Sequence, residues 1–270
     1  RATDGTNGYE LWKSDGTANG TMMVKDINSG SSSSNPEELA AVGNTLYFSA
    51  DDGTNGAELW KSDGTTAGTV MVKDINSGSG GSGPYELTAV GNTLYFQADD
   101  GTTGVELWKS DGTNFGTVGI KDINSGSGDS DPYEFTAFGN TLYFTADDGT
   151  NGRELWKSDG TTSGTVMVKD INSGSLSSFS VYPWDLSLTV IGNTLYFSAD
   201  DGTYGFELWK SDGTASGTVM VNDINSGTSS SSPSGFTALG NIILFTATHE
   251  TRGNELFINH YEVAQVITYS

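Results

Sequence analysis

The chain has 270 residues, with 34 acidic against 12 basic side chains and no cysteine, for a formal net charge of −22. Such a balance repels a nucleic-acid backbone and an anionic membrane surface, and leaves cationic partners and divalent ions open. Without cysteine there is no disulfide framework, no thiol nucleophile and no zinc site built on sulfur. No stretch approaches the roughly 18 consecutive apolar residues of a membrane-spanning helix.

Arg1-Ala2 aligns with the later Ser49-Ala50, so the sequence reads as starting inside a repeat, as a processed chain or a fragment. The segment from Pro36 shows the unit in full. Glu38–Val42 reads as a short strand, joined through Gly43-Asn44 as a hairpin to a second strand, Thr45–Ala50. Asp51 to Gly56 turns the chain into a third strand, Glu58–Ser62, and Asp63-Gly64-Thr65 with Gly68 turns it into a fourth, Thr69–Ile75. A Ser/Gly-rich connection, Asn76 to Gly83, leads to the next unit. Short strands with turn signals between them, and no helical period, predict an all-β fold.

The phrase Glu-Leu-Trp-Lys-Ser-Asp-Gly-Thr starts at Glu10, Glu58, Glu106, Glu154 and Glu207, with a worn copy at Glu255, at intervals of 48, 48, 48, 53 and 48 residues. Four-stranded units of this period stacked radially make a β-propeller. The phrase resembles that of the bacterial ELWxxDGT-repeat proteins, over nearly the whole chain. That resemblance implies propeller-like repeats and a secreted or cell-surface location, and it supplies no catalytic residues. Six Glu-Leu-Trp or Glu-Leu-Phe hairpins predict a single propeller domain over residues 1–270, with units at about 1–35, 36–83, 84–131, 132–182, 183–232 and 233–270. The first unit shows only its third and fourth strands, and a five-bladed ring with a spare hairpin is the alternative.

The repeat tryptophans Trp12, Trp60, Trp108, Trp156 and Trp209 are expected to pack between units, a role that Phe257 continues in the sixth. Ser62-Asp63-Gly64-Thr65 looks like a shortened Asp-box, with its carboxylate bonding amides across the turn. A sialidase-type activity is disfavoured, because the chain has only Arg1, Arg153 and Arg252 to form an arginine cluster. Asp52, Thr54 and Glu58 place oxygens round a glycine-rich loop, which suits weak Ca²⁺ binding, against a reading of plain turn chemistry with a Glu58–Lys61 surface pair. No dedicated metal site or covalent cofactor is predicted. His249 and His260 are the only histidines and stand in no catalytic arrangement, so the chain is read as no enzyme.

Function is sought where the units disagree. In an up-and-down unit the turn between strands two and three lies at the same end as the unit-to-unit connection. The departures map to that end: Tyr9, Tyr204, Phe206, His249 and Arg252 in the turns, and Phe179, Tyr182 and Trp184 in and beside the long connection. Closure of the ring would put them in one sector, an aromatic-rich arc of the kind that marks a binding surface. The leading expectation is a non-enzymatic protein with one asymmetric site for a flat or elongated apolar ligand, such as a polyene or carotenoid-like pigment or a lipid, enclosed between two copies in a homodimer. The alternatives are a multivalent lectin or adhesin with one glycan site per unit and Tyr85 or Tyr133 as stacking platform, and a purely structural surface repeat. Phe115 lies in a turn at the opposite end and outside the arc.

Overall fold

The computed structural model describes residues 1–180, 188–240 and 242–260. Among them there is no helix, and hence none long and apolar enough to cross a membrane. The first unit contributes β1 (Leu11–Lys13) and β2 (Met22–Lys25), and the second β3 (Glu37–Val42), β4 (Thr45–Asp51), β5 (Ala57–Ser62) and β6 (Val70–Lys73). The third follows with β7 (Tyr85–Val90), β8 (Thr93–Asp99), β9 (Val105–Ser110) and β10 (Val118–Lys121), and the fourth with β11 (Tyr133–Phe138), β12 (Thr141–Asp147), β13 (Arg153–Ser158) and β14 (Val166–Lys169). The fifth has β15 (Thr189–Ile191), β16 (Thr194–Asp200), β17 (Phe206–Ser211) and β18 (Val219–Asn222), and the sixth β19 (Ser234–Leu239), β20 (Ile242–His249) and β21 (Gly253–His260). Units two to five are four-stranded antiparallel sheets in sequence order, flanked by a two-stranded sheet in the first unit and a three-stranded one in the sixth. The first strands β3, β7, β11, β15 and β19 lie against one another in succession, so each sheet stacks on the next at this inner edge.

The apolar residues that alternate along the second and third strands fill the spaces between neighbouring sheets. Tyr47 and Leu59 of the second unit share a buried cluster with Leu94, Phe96, Ala98 and Trp108 of the third. Tyr95 and Leu107 meet Leu142, Phe144 and Trp156 of the fourth in the same way. The repeat tryptophan therefore packs against the preceding unit. There the lysine of that unit's last strand lies over its ring: Lys25 over Trp60, Lys73 over Trp108, Lys121 over Trp156 and Lys169 over Trp209, at 5.4–5.6 Å from the ring centres. Each of these ammonium groups also donates to a carbonyl of the unit whose tryptophan it covers, as Lys73 does to Thr117 at 2.8 Å. Lys61 donates to the carbonyl of Gly112 in the next unit at 2.8 Å, so it is not the surface partner of Glu58.

Glu58 faces the other way and is fully buried, as are Glu10, Glu154 and Glu207, with Glu106 nearly so. Its carboxylate accepts from the Ile75 and Asn76 amides at 3.0 and 3.2 Å, the Ser82 amide at 3.0 Å and the Ser82 hydroxyl at 2.6 Å. The chain must leave the ladder to reach those oxygens, which is why β6 ends at Lys73 and the predicted continuation to Ile75 does not form. The exposed Asp63 does what its turn sequence implies, accepting from the Thr65 amide and hydroxyl at 2.9 and 2.7 Å.

Glu106→Ala strands the buried Ile123 amide, the half-buried Asn124 amide and the buried Ser130 hydroxyl. Each stranded donor costs about 1–3 kcal/mol, so the urea midpoint falls well below wild type, whereas Asp129→Ala at the surface changes it little. Burial raises the carboxyl pKa of Glu58, Glu106, Glu154 and Glu207, up to about 7 for Glu154. These groups hold their protons more tightly folded than unfolded, so their contribution falls as pH climbs through the raised values. Bonds from the neighbouring threonine hydroxyl and amide lower Asp63, Asp111, Asp159 and Asp212, whose contribution is lost as pH falls through the ordinary aspartate range. Thermal unfolding is therefore expected to give a maximal Tm at about pH 5, with lower values at about pH 8 and pH 3.

Candidate functional site

The inner edge of the stack carries a second set of glutamates. In the first strands Glu38, Glu86 and Glu134 adopt φ of 54°, 58° and 60°, and the pairing register shifts across each of them. A left-handed non-glycine residue is strained, and here the bulge turns each carboxylate toward the next unit. Glu38 accepts from the Glu86 amide at 3.0 Å, and Glu86 from the Phe135 amide at 2.9 Å. Glu134 continues the row to the backbone amide of Leu188. Burial raises the pKa of all three, to about 7 for Glu134, whose carboxyl also feels the charge of Glu86.

The residues just before these bulges hold the same register in adjoining strands, and so become neighbours. In the third and fourth units they are Tyr85 and Tyr133, whose rings stack with centroids 6.0 Å apart and planes at 24°. Tyr85 remains 41% exposed. Burial and a hydrogen bond donated by its own O–H to Tyr85 hold the Tyr133 hydroxyl well above the ordinary phenol range. Across the strand from Tyr85 stands Gln97, where the other four-stranded units have Ser49, Thr145 or Ser198. Its side-chain carbonyl oxygen is buried and has no hydrogen-bond partner. Beside Tyr133, Arg153 reaches over the sheet to donate to the Asp131 carbonyl at 2.6 Å and to the Thr145 hydroxyl at 3.3 Å. In the second unit the register position is Glu37, which is ion-paired with Arg1.

The connections do cross the strand-two-to-three turns, as the topology requires: the Ser34 carbonyl accepts from Asp51, and the Asn35 amide donates to Tyr9. Tyr9, at 49% exposure with the Arg1 guanidinium 6.0 Å from its ring centre, and Tyr204, at 37%, are thus exposed at this end. Phe206 is half-buried opposite Asp200, and His249 accepts from the Thr251 amide through Nδ1 at 3.2 Å, with Arg252 exposed beside it. Phe179 departs from the expected arc. It is only 2% exposed and packs on Phe197 at 5.5 Å within the core between the fourth and fifth units, out of a ligand's reach. Tyr182 and Trp184 lie outside the described residues. Among the described residues, no ring contact, hydrogen bond or ion pair joins Tyr9 to Tyr204, Phe206, His249 or Arg252.

The expected calcium oxygens have other partners. Asp52 accepts from Thr54 and Asn55, and Glu58 is committed to the connection. Among the described residues no group of three or more acidic or histidine side chains could hold a metal ion. Sequence reading treated Tyr85 and Tyr133 as two equivalent platforms and passed over Gln97. Their spacing of 48 residues, one full period, was the available signal, since equal register on adjoining inner strands means contact.

No family model matches the chain, and no curated protein does. Among solved structures it is similar to a mutant puromycin hydrolase complexed with PGG, at 12% identity and a TM-score of 0.50, over 83% of this chain and 36% of that one. Prolyl oligopeptidase B from Galerina marginata, in its apo form, matches at 10% identity and a TM-score of 0.47, over 90% and 36%. The chain spans little more than a third of the length of these structures. The likeness to the first is one of fold, an all-β assembly resembling the propeller domains of peptidases, and it carries no activity.

Proposed function

We propose that this chain is a non-catalytic binding module, a propeller of six units, whose single asymmetric site is the aromatic surface at the connection end. The observation that supports this reading is the exposed Tyr85–Tyr133 stack beside the unpartnered carbonyl of Gln97. The outer ring of the stacked pair offers an apolar aromatic surface, and a buried acceptor without a partner is a costly feature that a bound donor group relieves. The ligand class that fits is flat or elongated and apolar with one hydrogen-bond donor, as in a hydroxylated polyene, and a second copy facing the same surface would enclose it. One site per unit is disfavoured, because the stacking tyrosines of two units form one surface.

The test is the absorption and mass spectra of natively purified protein, with Tyr85→Ala/Tyr133→Ala compared against Tyr204→Ala/Phe206→Ala. Loss of two stacked anchors costs about 2 kcal/mol or more, so ligand content in the first variant should fall at least about tenfold. Loss in the second variant alone would return the site to the turn aromatics, and unchanged content in both would sink the proposal.

A further inference from the structure

In units two, three and four a tyrosine of the second strand fills a slot in the unit that follows. Tyr47, Tyr95 and Tyr143 are buried, and each hydroxyl lies against the Asp-Gly turn of the next unit. A Cβ added at Gly112, Gly160 or Gly213 would stand 2.2, 2.6 or 2.0 Å from the oxygen of Tyr47, Tyr95 or Tyr143. Burial raises the pKa of each phenol, and the charge of the turn aspartate, Asp111, Asp159 or Asp212, raises it further. Each tyrosine shares a cluster with a leucine of the next second strand, Leu94, Leu142 or Leu195, and all three leucines are fully buried.

Between the first and second units the same slot holds no ring among the described residues. The first unit contributes only β1 and β2, so no tyrosine of a second strand faces the Asp63-Gly64 turn. A Cβ at Gly64 would meet nothing within 4 Å, and Leu46 is half-buried where its three counterparts are sealed. A cavity of about 170 Å³ opens there, with Leu11, Val24, Leu46, Ser62, Asp63 and Gly64 in its walls. Its rim is already set. The Lys13 ammonium donates to the Gly64 carbonyl at 2.8 Å, as Lys61 does to that of Gly112, and Asp63 keeps its bond from the Thr65 amide. The strand edge above the cavity is open as well: in the second unit Tyr47 stands opposite Lys61, whereas β1 pairs with β2 alone and its other side is approached only at the Ala2–Glu10 bridge.

We infer that this cavity is a binding site for a phenol ring with an alkyl group para to its hydroxyl, brought either by a free 4-alkylphenol or by a tyrosine on an extended strand. The three filled slots of the same molecule are the template: the ring rests on Leu46 and the hydroxyl reaches the Asp63-Gly64 turn. An apolar cavity of about 150 Å³ takes one benzene ring, and walls already in place keep the cost of ordering small. An acidic ring is disfavoured by Asp63 at the hydroxyl end and by the net charge of −22. A tyrosine-bearing strand also gains the ladder bonds of the β1 edge, the way exposed sheet edges take up extended peptides.

The experiment is an NMR titration of the isotopically labelled chain with p-cresol, toluene and 4-methylbenzoate, following the amides of Gly64, Gly112, Gly160 and Gly213. p-Cresol is expected to shift Gly64 with millimolar affinity and to leave the other three in place, with toluene at least about threefold weaker and 4-methylbenzoate without effect. Leu46→Trp fills the cavity and should weaken the p-cresol response at least about tenfold, while Tyr95→Ala opens a second slot and should make Gly160 respond. Absence of a Gly64 shift, equal shifts at all four glycines, equal affinity for toluene, or an unchanged affinity in Leu46→Trp would each overturn the assignment. The peptide acetyl-Asn-Thr-Leu-Tyr-Phe-Ser-amide separates the two sources. Binding at least about tenfold tighter than p-cresol, and lost when its tyrosine is replaced by alanine, assigns the ring to a strand; no gain over p-cresol assigns it to a free phenol. Tyr85→Ala/Tyr133→Ala leaves this titration unaltered, so the two binding readings stand or fall separately.

Discussion

The stack depends on one buried carboxylate in each of its first five units. Each of these five glutamates ends its strand-two-to-three turn inside the protein, and its two oxygens gather the amides of a connection 17 to 24 residues further on. An ionised carboxylate out of water is costly unless its lone pairs are filled, and three or four donors fill them here. The serine it holds presents its carbonyl to the next unit, as Ser82 does to the Asp99 amide. A single side chain therefore fixes both how a unit closes and where the following unit begins. That geometry places the inner strands in register, and from the register come the glutamate row and the Tyr85–Tyr133 contact.

Much of this was legible in the sequence, because a repeat averages out local ambiguity. The four strands, the hairpin at Gly43-Asn44 and the packing role of Trp60 follow from alternation, turn chemistry and period. Glu58 was misread because the same Glu-x-x-Lys spacing serves a surface pair or two unrelated buried contacts, and nothing local separates them. Lys61 and Glu58 point to different units, a fact of stacking that a single unit cannot reveal. Phe179 was misread for a related reason. An inserted aromatic in a Ser-rich connection reads as exposed, yet the Phe179 ring fills space beside Phe197.

Departures also come in matched sets. The lysine that covers the next unit's tryptophan is Asn222 in the fifth unit, and the sixth unit has Phe257 in place of that tryptophan. Both members of a cation–π pair change together across one interface, and Phe257 stacks on Phe245 at 5.6 Å instead. This is repair of packing, and it separates structural variation from variation that opens space.

The edges of the stack show what each interface contributes. The leucine after the repeat glutamate is sealed at Leu11, Leu59, Leu107, Leu155 and Leu208 by the following sheet, but Leu256 in the sixth unit is 65% exposed. At the other edge, a Cβ on Gly112 would strike the Tyr47 hydroxyl at 2.2 Å, whereas one on Gly64 meets nothing within 4 Å. Each unit thus completes its core only on the surfaces of its neighbours, the condition that makes a repeat array cooperative through its interfaces. The third and fourth units each have a full four-stranded sheet on both sides. The tyrosine stack spans both, where the scaffold can keep a half-exposed aromatic surface in a fixed shape.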